Sequence, residues 1–268
     1  MQQAEPCAGL TLLGVGPGDP QLLTVAAVRA IEAATVVAYP VAREGGIGMA
    51  ATIAAPWIGH QQRQLPLVFP MVAEAEPRRL AWRVAAAALA AEVAAGHAVV
   101  LLCEGDASLF ASCSYVLLAL AAWHPGCPVR VIPGISSVAA AAAAASELGG
   151  PAAPAMPWPL ALQGEGLLIR PTPESPAELE ALLDWAAAGS GCAAAPEAQT
   201  TLALLKLGHR WAWVRPLLAT RGLLDAALFA QRVGWPEQLL AAAAAVPAEE
   251  QPYFSLLLIR QGWPAVLP

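Results

Sequence analysis

Charge is scarce in this chain of 268 residues: Asp, Glu, Lys and Arg supply 13% of it, and of fourteen basic residues only Lys206 is a lysine. No run of Lys or Arg exists that could neutralise a row of phosphates, and the formal net charge is −6, so nucleic acid is not an expected partner. Long apolar runs are missing as well. Glu92, His97, Ser146 and Glu147 interrupt the longest of them short of the roughly 20 residues that a bilayer-spanning helix needs, and no membrane partner is expected. The opening Met1-Gln2-Gln3-Ala4-Glu5 has no positive charge, and no apolar stretch precedes Gly9, so no signal peptide is read and a cytoplasmic location is expected. The five cysteines (Cys7, Cys103, Cys113, Cys127, Cys192) form no C-x-x-C pair and have no histidine at ligand spacing. Neither a metal site nor a disulfide framework is expected from them, and they read as buried thiols.

Material to bury is plentiful. Apolar residues make up 57% of the chain, enough for a proper core in one large or two ordinary domains. Short apolar runs alternate with longer alanine-rich stretches, the pattern of an α/β protein with a mainly parallel sheet under helices. The strands read as Leu10–Gly14, Thr35–Tyr39, Ala98–Cys103, Val129–Ile132, Gly166–Arg170, Thr201–Lys206, Ala227–Gln231 and Phe254–Arg260. The helices read as Val25–Ala33 with Thr24 as N-cap, Arg78–Ala95, Ser112–Ala122, Ser136–Glu147, Pro176–Ala188 and Trp211–Thr220. Ser175 with Glu178, and Pro176 at the first helical position, give the fifth helix the clearest start. A Pro/Gly/Ala stretch from Gly149 to Pro159 reads as a connection between two domains, residues 1–140 and 141–268, and Ala186–Ala198 reads as a loop.

Three glycine-containing turns sit at expected strand ends of the first half: Gly14-Val15-Gly16-Pro17-Gly18-Asp19-Pro20, Cys103-Glu104-Gly105-Asp106, and Ile132-Pro133-Gly134-Ile135-Ser136-Ser137. Each alone reads equally well as a tight turn or a helix cap. The first departs from G-x-G-x-x-G and carries no Lys-Ser/Thr, which argues against dinucleotide and phosphate-loop readings. Ligands of open α/β sheets sit beyond the carboxyl ends of strands, where all three turns fall.

In this order, with Leu22-Leu23-Thr24, Ala38-Tyr39-Pro40, Pro66-Leu67-Val68-Phe69-Pro70-Met71, Lys206-Leu207-Gly208 and Pro252-Tyr253-Phe254-Ser255, the motifs resemble the tetrapyrrole methylases of cobalamin and sirohaem synthesis. Within that family they are most similar to the subgroup that methylates C20 of precorrin-2, and the resemblance runs from about Leu10 to Arg260. It implies a two-domain α/β fold that dimerises and binds S-adenosylmethionine in a cleft between the domains. Carried over by position, Pro17, Glu104, Gly105, Asp106, Leu109, Ser136, Ser137, Leu207 and Val233 contact the cofactor. The chain departs from the family at Ala107, where many relatives have proline, and at Val233, where some have glycine.

An anionic tetrapyrrole, metal-free or as its cobalt counterpart, is the expected substrate. Arg43 and Lys206 are the expected grips on its carboxylates, against a reading of both as solvated surface charges. The group that removes the meso proton is left open. His60, His97, His124 and His209 are candidates, though each reads more readily as a surface or helix-end histidine, and Glu104 is a further one. Trp235 is placed near the site.

Overall fold

The computed structural model describes residues 9–145, 159–162, 164–188 and 200–261, and the statements below concern these. Contacts divide the chain after Ser137 into two compact units. The first is built from β1 (Gly9–Gly14), α1 (Val25–Ala33), β2 (Val36–Val41), α2 (Met49–Ala54), β3 (Arg63–Val68), α3 (Ala75–Ala94), β4 (Ala98–Cys103), α4 (Cys113–Trp123) and β5 (Val129–Ile132). Its five strands lie in the order β3-β2-β4-β1-β5, every pair parallel. β1 and β4 are apolar almost throughout because both sheet faces are covered. Leu10, Leu12, Val99 and Leu101 join the core under α3 and α4, while α1 and α2 pack at β1, β2 and β4. Thr24 caps α1 as expected, its Oγ1 accepting from Ala27 N at 3.1 Å.

β1 is followed by one helix layer and β4 by the other. The chain therefore leaves β1 and β4 toward opposite faces of the sheet, the position at which open α/β sheets take ligands.

The division at Ser137/Val138 falls a few residues ahead of the boundary read at 140/141. α5 (Ser137–Ala144) begins there. The second unit continues with β6 (Gly166–Pro171), α6 (Pro176–Ala187), β7 (Thr200–Leu205), α7 (Trp211–Thr220), β8 (Ala227–Gln231), β9 (Leu239–Ala242) and β10 (Ser255–Ile259). Its sheet order is β6-β7-β10-β8-β9. β6 and β7 are parallel, but β10 runs antiparallel to β7 and β8, and β9 to β8. The expectation of a mainly parallel arrangement holds for the first sheet and is corrected for the second. Trp211 and Phe229 centre its core, ring to ring at 5.2 Å. Arg260, 2% exposed, pairs with Glu165 at 2.5 Å and donates to Pro159 O at 3.0 Å, so a charge that would be costly alone is compensated.

Cys103 and Cys113 are buried as expected, and Cys127 is half-buried. Cys7, Cys192, most of the Gly149–Pro159 connection and the loop beyond Ala188 lie outside the described residues, and α6 runs on through Ala186 and Ala187.

Candidate functional site

Three neighbouring parallel strands, β4, β1 and β5, deliver their turns to one edge of the first sheet. The backbones of those turns are tied together. Val15 N donates to Cys103 O at 2.9 Å, Gly16 N to Gly105 O at 3.2 Å, and Gly105 N to Gly16 O at 2.8 Å. The closeness explains the glycines. A Cβ on Gly14 would stand 2.5 Å from Gly105 O and 2.7 Å from Gly134 N, and one on Gly134 would stand 2.7 Å from Gly14 C, all of it backbone that cannot yield. Gly105 also holds φ at +70°, a conformation L side chains rarely adopt. The three turns therefore pack backbone against backbone where they meet, and of these glycines Gly105 is the one with open space on its Cβ side.

The third turn is clamped by a side chain. The sequence reading gives Asp106 a ligand contact or a helix cap, and the structure gives its carboxylate another task. One oxygen accepts from Gly134 N at 2.8 Å. The other accepts from Ser108 N at 2.8 Å and from the Ser108 hydroxyl. α4 begins only at Cys113, so Asp106 does not cap it. Desolvation raises the Asp106 pKa, but hydrogen bonds from Ser108 and Gly134 outweigh it and hold the carboxyl below its usual range.

Glu104 contrasts with it. Half-buried at the end of β4, its carboxyl has neither a hydrogen bond nor an ion pair among the described residues. Burial pushes its pKa up to about 7.

Pro17, Glu104, Gly105, Asp106, Leu109, Ser136 and Ser137 thus all belong to this one cluster of turns, with Pro17 buried and Leu109, Ser136 and Ser137 half-buried. Arg43 is exposed two residues beyond β2, on the same carboxyl edge and next to β4 in strand order. Three of the four histidines are on the opposite edge. His60 precedes β3, His97 precedes β4 and is bonded to Glu92 at 2.8 Å, and His124 precedes β5.

In the second unit a separate cluster forms where β7 and β8 end on either side of the start of β10. Leu207 N donates to Ser255 O at 3.0 Å, Gly208 N to Ser255 Oγ at 3.1 Å, and Arg232 N to Phe254 O at 2.9 Å. Leu207 is fully buried within that unit's core, and Val233 is buried. Trp235 is half-buried, and its backbone N–H donates to Arg232 O at 3.0 Å. Lys206 and Arg232 both hold positive φ, +56° and +46°, which is strain that accumulates at functional turns. The sequence reading finds Lys206 and misses Arg232, since nothing in residue type marks a non-glycine in that conformation.

Residues 9–245 match the family model described as Tetrapyrrole (Corrin/Porphyrin) Methylases. The cobalt-precorrin-2 C(20)-methyltransferase of Salmonella typhimurium is 32% identical over 95% of this chain and 97% of its own length. The precorrin-2 C(20)-methyltransferase of a Sinorhizobium species is 31% identical over 94% of each. Among solved structures, cobalt precorrin-4 methyltransferase superposes with a TM-score of 0.60 at 17% identity, covering 97% of both chains. A uroporphyrin-III C-methyltransferase from Thermus thermophilus, complexed with S-adenosyl homocysteine, superposes with a TM-score of 0.55 at 22% identity over 94% of this chain and 91% of its own. By sequence over nearly its whole length, and by fold, this chain belongs to the tetrapyrrole methylase family.

Proposed function

We propose that the protein is an S-adenosylmethionine-dependent C-methyltransferase that adds a methyl group to C20 of precorrin-2 in corrin-ring synthesis, working as a cytoplasmic homodimer. The observation that carries this reading is the meeting of three glycine turns beyond the carboxyl ends of β4, β1 and β5, where a Cβ on Gly105 would meet nothing within 4 Å and the backbone is open to a ligand. The ligand proposed for it is S-adenosylmethionine. When bound, this cofactor supplies a methyl group already activated on a positively charged sulfur.

The protein's share is placement. Pro17, Gly105 and Leu109 shape the cofactor's bed, and Asp106 fixes the turn that carries Ser136 and Ser137. Arg43 and Lys206 take substrate carboxylates. Holding methyl donor and ring carbon in line can account for much of the rate, since orientation alone is worth up to about 7–11 kcal/mol of barrier. The dimer reading is supported by an exposed apolar face on α3 and α4.

The relatives named above act on the cobalt-containing and on the metal-free ring at nearly equal identity, so both substrates belong in the test. Protein, methyl-labelled cofactor and each substrate are incubated, and the new methyl is located by NMR. The expected product carries it at C20. A methyl at any other carbon, or none, overturns the assignment. Calorimetry should also show binding of S-adenosylhomocysteine, since a bed of backbone turns recognises the parts that cofactor and product share.

A further inference from the structure

Methyl transfer to a meso carbon leaves one hydrogen too many on it, and the chain must offer that proton somewhere to go. We infer that the Glu104 carboxylate accepts the proton that C20 loses, an inference that rests on the function proposed above. The balance is simple: the carbon–sulfur bond breaks and that carbon bonds to C20. The C20–H bond then breaks, its electron pair returns to the ring π system, and the proton passes to a Glu104 carboxylate oxygen and on to water.

The topology removes the obvious competitors. His60, His97 and His124 all precede strands, so the length of the sheet separates them from the turns, roughly 20 Å for a strand of this size. Asp106, the nearest carboxylate in sequence, already spends both oxygens within the turns. The other ionisable groups on this edge are Asp19, which accepts from Gln21 N, Cys103, Arg43 with Glu44 beyond β2, and Glu74 between β3 and α3; the Ile132–Ser137 turn has none. None of these contributes to the Glu104 shift, whose cause is burial alone. A half-buried carboxyl without a hydrogen bond or ion pair is an expense to the fold, and near neutrality it is matched to taking a proton.

The test compares wild type, Glu104→Gln and Glu104→Asp in the full chain, with His209→Gln as the remaining histidine. The first readout needs no turnover. Because the folded-state value lies above the ordinary carboxyl value of 4.5, the stability that the neutral form confers is lost as pH rises through about 7. Glu104→Gln should therefore melt with wild type below about pH 4.5, gain on it as pH rises from there to about 7, and keep a constant advantage above neutrality. In turnover, Glu104→Gln should bind S-adenosylhomocysteine as wild type does while kcat falls about 10²–10⁴-fold. The rise of kcat through neutrality should vanish, and a substrate deuterated at C20 should show a larger isotope effect than with wild type. Glu104→Asp should recover part of the rate, and His209→Gln should leave it intact.

Undiminished kcat, a retained pH limb, loss of product affinity or coincident melting curves in Glu104→Gln would each overturn the assignment. If wild type itself puts no methyl on C20, the function fails first and is seen to fail before any variant is made.

Discussion

Gly134 shows how tightly single positions are constrained at this sheet edge. A methyl group there meets the backbone of Gly14 and Gly105, so Gly134→Ala should cost about 1–3 kcal/mol of stability and abolish binding of the methylation product. Gly126, whose Cβ would meet nothing within 4 Å, is the control, and its alanine variant should melt within a degree or two of wild type. Asp106 makes a related point through hydrogen bonds. Truncating it strands Gly134 N, so Asp106→Ala should lose about 1–3 kcal/mol in denaturant unfolding together with cofactor affinity, and a loss of affinity at full stability would return the carboxylate to direct ligand contact. At this scale the sequence is readable where sterics dictate the residue: dense glycine after an apolar run announces a close approach. It is silent where the partner is distant in the chain. The Asp106–Gly134 bond spans 28 positions, and no local pattern distinguishes it from a helix cap.

Elements buried on both faces were legible because burial writes itself as an uninterrupted apolar run. β4 and β8 have the boundaries read from sequence, and α1 and α7 do too; so does β5, an edge strand with three of its four residues exposed. The strands that escape, β3 and β9, are both at edges. β3 reads Arg63-Gln64-Leu65-Pro66-Leu67-Val68, mostly exposed, and Pro66 is tolerated because no strand pairs with its outer side. β9 has two exposed and two half-buried residues at an edge of the second sheet, and α2 has only six residues. Strand direction was likewise hidden, because an apolar run reads the same in a parallel and an antiparallel ladder. At the other end of the scale of legibility stands α6. Ser175 accepts from Glu178 N at 3.4 Å, while Glu178 reaches back to Glu174 N rather than to the Ser175 amide, one residue beyond an ordinary capping box. The turn after β7 carries its own prediction. Lys206→Gly removes a side chain from left-handed backbone and should raise stability by about 1 kcal/mol in urea unfolding, while raising KM for the tetrapyrrole. A gain in stability without a change in KM would leave Lys206 strained for no substrate's benefit.

For the molecule as a whole the difficulty is that a chain of net charge −6 is asked to take up a ring of carboxylates. Positive charge must be gathered locally, and Arg43, exposed on the carboxyl edge of the first sheet, is placed to do it. Its attraction is screened over about 10 Å at 0.1 M salt, so KM should rise with ionic strength, and Arg43→Ala should raise KM while leaving cofactor affinity intact; indifference to both would end that account. The same scarcity of charge leaves an apolar face on the first unit. Trp82 stacks on Tyr115 with ring centroids 4.2 Å apart, Arg83 lies 4.7 Å over Trp123, and around them Leu80, Val84 and Leu118 are each more than 60% exposed. Side chains this large, contiguous on two helices, are expensive to leave in water. The groove between them is rimmed by Glu76 on one side of the charge balance and Arg79 and Arg83 on the other, so two copies related by a two-fold axis can bury the apolar centre and set unlike charges against each other. Leu118→Glu places a carboxylate in the middle of that face without touching the turns at the sheet edge. Sedimentation equilibrium should find wild type as a dimer and Leu118→Glu as a folded monomer that still binds S-adenosylhomocysteine. A variant that remains dimeric with unchanged affinity would move the interface elsewhere and leave this face without its assigned partner.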